Sequence, residues 1–332
     1  MSLRLRCLPA ILLAAVVFRS TPALDAQSSP TVLAVVFENG ELLPVAVHSG
    51  QEWWNLWPSK QDESELPPDA LDRVPASWLP PGVTLPTEWT VLRFDGTRER
   101  VHAVRPVRLD IMGQYTVGLL TDMKSARPRC ADCDPADIGV AFAGPATVER
   151  ILTLKTSAAD WRRIWPQLRP LIDAKETEAW ETWLQERRAS VQRGGLDIHV
   201  PVSPSKRAAT TTRDKAIVYK FPRDASGHSV YFFDLSKEYE ATRVLDDPEC
   251  VPRALIDGTL STTSTQKILA SDISANAVAC DVMRPSLVPL ATVRVDDRLL
   301  WIIRWDFEDG IEYELTSPTR DRPFELRTER PR

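Results

Sequence analysis

Cys130 and Cys133 stand two residues apart in RPRCADCDP, residues 127–135. A pair at this spacing can form a thiol–disulfide centre, half of a zinc site or a structural staple. A redox centre wants its first cysteine at a helix N-terminus, where the dipole lowers the thiol pKa. A helix starting near Pro135 would leave Cys130 outside it. Arg127 and Arg129 favour a thiolate, while Asp132 and Asp134 oppose one. Zinc takes four ligands, and Cys250 and Cys280 are single and far apart, so His102 or His228 would have to complete a site. Once Cys7 is assigned to an N-terminal leader, four cysteines remain. An even count in an oxidising compartment favours disulfides. The spacing favours Cys130–Cys133 and Cys250–Cys280, and the chain is expected to need no metal or other cofactor.

Four further constellations could carry chemistry. The run WWNLW sets Trp53, Trp54 and Trp57 close together; flat aromatic faces of this kind stack on sugar rings, or else plug a β-domain. In the hairpin WIIRWDFEDGIEYEL, a three-residue loop at 308–310 keeps one face apolar, setting Trp305 opposite Tyr313 and Ile303 opposite Leu315. That register sets Asp306 opposite Glu312, with Cβ atoms about 5 Å apart, near the carboxyl separation of about 5–5.5 Å in retaining glycosidases. It also sets Arg304 opposite Glu314, which equally describes a salt-bridged, solvated face. SGHSV, residues 226–230, places Ser226, His228 and Ser229 near Asp234, but there is no G-x-S-x-G turn to expose a nucleophile, so the stretch reads as a hairpin turn. Asp132, Asp134 and Asp137 do not follow the calcium-loop spacing. No phosphate loop, dinucleotide fingerprint or H-E-x-x-H occurs.

These residues need positions, and the start of the chain suggests a compartment. Arg4 and Arg6 precede an apolar run of about a dozen residues, too short for a bilayer span, followed by STPALDAQ. This is the pattern of a secretory signal peptide covering residues 1–26. The mature chain is expected to be soluble, exported to the periplasm or beyond the cell, and free of transmembrane segments. Removing residues 1–26 takes away Arg4, Arg6, Arg19 and Asp25, so the net charge moves from −5 to −7. Such a balance gives no reason to expect nucleic acid as a partner. A hydrophobic share of 43% belongs to a globular chain. With 27 prolines against 13 glycines, the loops are stiff.

The elements that must position the candidates are mostly strands. TVLAVVF at 31–37 and LLPVAV at 42–47 flank Asn39-Gly40, a strong hairpin signal. A two-residue turn would pair Phe37 with Leu42 and Val36 with Leu43, with both faces covered. Pro44 belongs where no ladder N–H is needed. Further strands read at 216–221, 229–235, 253–260, 267–273 and 291–295. Between them a capping-box-like start at Ser157 leads into Trp161, Ile164, Trp165 and Leu168, a helical face that Pro166 and Pro170 should kink or end. A second helix is expected near 175–189. Residues 58–86 carry seven prolines and read as an extended loop.

The expected fold class is therefore mainly β (α+β), with two β-rich lobes of antiparallel hairpins and meanders joined by a short helical segment. The expected boundaries are a signal peptide at 1–26, an N-terminal lobe at 27–150, a helical connector at 151–193 and a C-terminal meander at 194–332. Two functions compete. One is a non-catalytic binding or structural module whose partner is a glycan or another exported protein. The other is a secreted glycan-acting hydrolase using paired carboxylates.

Overall fold

The computed structural model describes residues 30–49, 52–55, 74, 79, 83–111, 114–124, 136–192, 213–223, 226–239, 253–278, 285–295, 298–307 and 310–317. The first strands are β1 (Thr31–Phe37), β2 (Glu41–Ser49), β3 (Glu52–Asn55), β4 (Glu88–Arg93) and β5 (Arg98–Ile111). Then come β6 (Gln114–Thr121), β7 (Asp137–Ala143), β8 (Thr147–Arg150) and β9 (Leu152–Leu154). The α-helix α1 (Ala159–Gln192), the only one among the described residues, follows. Beyond a 3-10 turn at Arg213–Lys215 lie β10 (Ala216–Lys220), β11 (Ser229–Glu238), β12 (Arg253–Thr262) and β13 (Ile268–Val278). The last strands are β14 (Ser286–Val295), β15 (Arg298–Asp306) and β16 (Ile311–Thr316). The protein is mainly β, built from antiparallel hairpins and meanders, with one helix among the described residues.

The first sheet closes on itself. Its order is β1-β7-β4-β5-β6-β2-β3, and β1 also pairs with β2, so every strand but β3 belongs to an antiparallel ring. All seven residues of β1 are buried, as a strand covered on both faces requires. The β1–β2 register differs by one residue from expectation: Val36 pairs with Leu42 and Val35 with Leu43. The turn is a three-residue loop. Gly40 takes φ +83° and donates its N–H to the Phe37 carbonyl at 3.0 Å, while Asn39 is held by bonds to Glu41. Pro44 pairs with Ala34 at a β-bulge, where a missing N–H does no harm.

The second sheet runs β13-β12-β11-β10-β9, and the third runs β16-β15-β14-β8. The third therefore joins a strand from before the helix to three from after it. It is packed on both sides. Leu300, Ile302 and Leu315 belong to the core of the closed sheet, while Trp301 and Ile303 meet Phe221 and Phe232 of the five-stranded sheet. Trp301 and Phe221 stack with ring centroids 4.1 Å apart. Helix α1 covers the far face of the five-stranded sheet through Trp161, Ile164, Leu168, Ile172 and Trp180.

One helix of 34 residues replaces the two expected. Pro166 and Pro170 lie within it, four residues apart and off the buried stripe. The carbonyls they leave without partners can turn to water, and burial of Trp161 and Trp180 outweighs the local cost. The SGHSV stretch is a hairpin turn as expected: Gly227 has φ +77°, and β10 pairs antiparallel with β11.

Candidate functional site

The expected carboxylate pair does not form. In the last hairpin Asp306 pairs with Ile311, Trp305 with Glu312, and Arg304 with Tyr313 rather than Glu314. A slip of one residue moves a side chain to the other face, so Asp306 and Glu312 stand on opposite faces of the sheet. Asp306 instead binds Arg304, with Nε–Oδ1 at 2.6 Å and Nη2–Oδ2 at 2.9 Å. Arg304 also bonds Asp137 at the start of β7, tying the third sheet to the closed one. Asp137 is mostly buried, and that dryness raises its carboxyl above the usual range despite Arg304. The same seam raises the Tyr313 hydroxyl, chiefly by burial and then through Asp137. This is an ion cluster at a packed seam.

Two tryptophans of the expected platform are buried. Trp53 and Trp54 are only 3% and 8% exposed; they belong to the core of the closed sheet, and Trp53 packs against the His48 ring. Trp57 lies outside the described residues, as do Cys130, Cys133, Cys250, Cys280, Asp132 and Asp134. His102 pairs with Asp122 at 3.1 Å, and Ser229 is buried. Among the described residues no three His, Cys, Asp or Glu side chains are grouped to hold a metal ion. No described helix is long and apolar enough to cross a membrane.

The structure assembles a different site. A cleft of about 640 Å³ opens where the β4–β5 turn, β8, β9 and the end of β10 converge. Arg98, Arg150, Lys220 and Arg223 line it, against Asp95 and Glu149. The surplus of two positive charges is notable in a chain of net charge −5. Leu92, Leu152, Phe221 and Pro222 supply an apolar wall.

Backbone groups position the guanidinium groups. Arg98 donates from Nη2 to the Val148 carbonyl at 2.6 Å. Arg150 donates from Nη1 to the Asp95 carbonyl at 3.0 Å. Neutral carbonyl acceptors fix both side chains in place without cancelling their charge. The Arg150 guanidinium lies against Gly96, whose φ is +94° and where an added Cβ would stand 3.1 Å from Nη1. Asp95 stays ionised, held below its usual pKa first by the Thr97 backbone N–H. Lys220 is partnered by Asp160 of the first helical turn at 2.7 Å, a bond that raises its pKa. Arg223 is exposed. Among the described residues of the lining none carries a hydroxyl, thiol or imidazole.

No local spacing announces this site. Its residues come from 92–98, 149–152 and 220–223, brought together only by the way three sheets meet. A second cluster was also missed. Lys237 and Glu176 are buried and paired, the Tyr239 hydroxyl bonds the same carboxylate, and Asp173 lies 3.2 Å from Lys237 Nζ. A signal for it does exist: Lys237 continues the inward alternation of Tyr231, Phe233 and Leu235, and Glu176 sits midway between Ile172 and Trp180 on the helix stripe.

No family model matches the chain, nor does any curated protein or solved structure.

Proposed function

We propose that the protein is a non-catalytic binding module whose cleft takes an anionic ligand, with an acidic glycan as the leading class. The observation behind this reading is the pair Arg98 and Arg150, each positioned by a carbonyl oxygen and so left with its charge to offer. Guanidinium forks suit carboxylate or sulfate groups, and the Leu152–Pro222 wall suits the apolar face of a sugar ring. The cleft volume lies in the range of small-molecule sites.

The test titrates the full chain calorimetrically with a polyuronate tetrasaccharide and with its neutral counterpart. The acidic sugar should bind and the neutral one should not. Arg98→Ala and Arg150→Ala should each weaken binding about tenfold, as expected for loss of a charge-assisted hydrogen bond worth about 1.5 kcal/mol or more. Equal binding of both sugars, or indifference to both variants, would sink the reading. Release of new reducing ends would favour the hydrolase instead.

The same reading places the protein outside the cytoplasm, exported by residues 1–26, with Cys130–Cys133 and Cys250–Cys280 oxidised. Mass spectrometry of exported protein should find a chain beginning between Leu24 and Ser28.

A further inference from the structure

Among the described residues, the outermost strands of the sheets are not alike. At the ends of their sheets, β3 has four residues, β8 four and β9 three; β16 has six and carries Glu312 and Glu314. Short or charged edges are how proteins avoid pairing with other chains. The remaining edge strand, β13, has eleven residues, reads ILASDISANAV, and holds no proline and a single charge, Asp272. One face is anchored, since Ile273, Ala275 and Ala277 pack toward α1. Its start is closed: the Ile268 N–H donates to Gln167 Oε1 at 3.2 Å. Leu269 is 48% exposed.

A groove of about 400 Å³ runs beside this edge, between residues 273–277 and the helix. Its helical wall carries Lys175, Glu178, Trp183 and Glu186. Lys175 is paired with Glu178 at 2.8 Å, so Glu186 leaves the balance of the wall acidic.

We propose that β13 is a docking edge for an extended, lysine- or arginine-rich segment of a partner polypeptide, which adds to it as a further strand. Main-chain hydrogen bonds supply the affinity in this mode, and side chains entering flanking pockets supply the selectivity. Charge selects the occupant. A cationic strand meets the acidic balance of Glu186 and Glu178 on the helical wall, whereas a second copy of this chain would set those acids against their own equivalents. The site is separate from the cationic cleft and takes a ligand of the opposite sign.

The test is hydrogen exchange on the full chain, with a seven-residue peptide of alternating lysine and valine as the probe. The amides of 269–278 that point away from β12 should exchange at least tenfold more slowly at saturating peptide. A peptide of equal charge with proline replacing valine cannot form a ladder and should protect nothing. Asn276→Lys, at an exposed edge position, should weaken binding at least fivefold without changing the melting temperature. The proposal fails if the edge amides gain no protection or if the proline peptide protects them equally. It also fails if those amides are already protected without peptide, or if sedimentation shows a dimer that protects 269–278 by itself.

Discussion

Beneath the helix, Lys237 meets two carboxylates and is sealed from water. At the cleft, Arg98 and Arg150 meet carbonyl oxygens and stay exposed. Both regions hold cations in fixed places, but they use opposite partners. An enclosed ammonium without a counter-charge is very unfavourable, so the clamp supplies Glu176 and Asp173. A guanidinium at a rim needs no counter-charge, and a dipolar carbonyl can orient it while its field stays available. The difference separates a cation enclosed by its counter-charges from one whose charge faces an open cleft.

The strongest way to break this comparison is Lys237→Met. It leaves the buried Glu176 without its ammonium counter-charge, and removal of one partner from a buried pair costs about 3–5 kcal/mol. Denaturant unfolding should show that loss, and the double variant Lys237→Met/Glu176→Leu should recover most of it. A loss below about 1 kcal/mol would mean that the clamp is wet and no different from the cleft.

The next effect comes from the same end of the five-stranded sheet. Lys237 pairs with Ala254, and Ala254 with Ala277. Arg253 and Val278 close the ladder, with Cys250 just before and Cys280 just after these strands. A disulfide there closes a loop for which chain entropy gives about 3–4 kcal/mol. Cys250→Ser/Cys280→Ser should therefore lower the melting temperature more than Cys130→Ser/Cys133→Ser. Recovery of Cys130 linked to Cys250 or Cys280 in non-reducing peptide maps would refute the pairing.

How far this arrangement was legible in the sequence depended on which faces are dry. Alternation located the strands well: β12 is buried at every second residue from Ala254 to Thr262, as RALIDGTL implies. The expected register is one residue off in both hairpins, the first set by a two-residue Asn39-Gly40 turn and the last by alternation. Register follows from pattern when one face is wet. Here β1 is buried on both faces, and β15 is buried through four successive residues, Leu300–Ile303, because closed and five-stranded sheets lie on either side of it. An apolar-face rule has nothing to distinguish there. Asp306 and Glu312 were matched as partners for that reason. The helix stripe was legible, but its continuation past two prolines depended on tertiary burial. The cleft was not legible at all, because its segments meet only through sheet order.

At the cleft the expected effect on stability is small. Arg150→Ala removes an exposed side chain bonded to one carbonyl, so unfolding should shift by less than about 1 kcal/mol while binding of the acidic sugar weakens. A large loss of stability would make Arg150 a structural cation like Lys237 and would remove the contrast.

The smallest effect at neutral pH belongs to Tyr313, at the seam between these extremes. Its ring lies edge-on to Phe37, with centroids 6.1 Å apart, and burial raises its hydroxyl pKa, with Asp137 adding to the shift. An unfolded tyrosine ionises near pH 10, at about 10. A raised folded pKa means that the folded chain keeps the proton where the unfolded chain has lost it. The stability tied to that proton is complete below pH about 10 and is lost as pH rises from there toward the folded value. Tyr313→Phe has no such proton. Unfolding curves of the two proteins should run parallel from pH 7 to 9, whatever constant offset the missing hydroxyl gives. Above pH about 10 the natural chain should lose ground at up to about 1.4 kcal/mol per pH unit. Lysine titration is common to both proteins and cancels in the difference. Curves that stay parallel to pH 11 would mean that Tyr313 ionises as freely as in water. The seam would then resemble the open cleft rather than the sealed clamp.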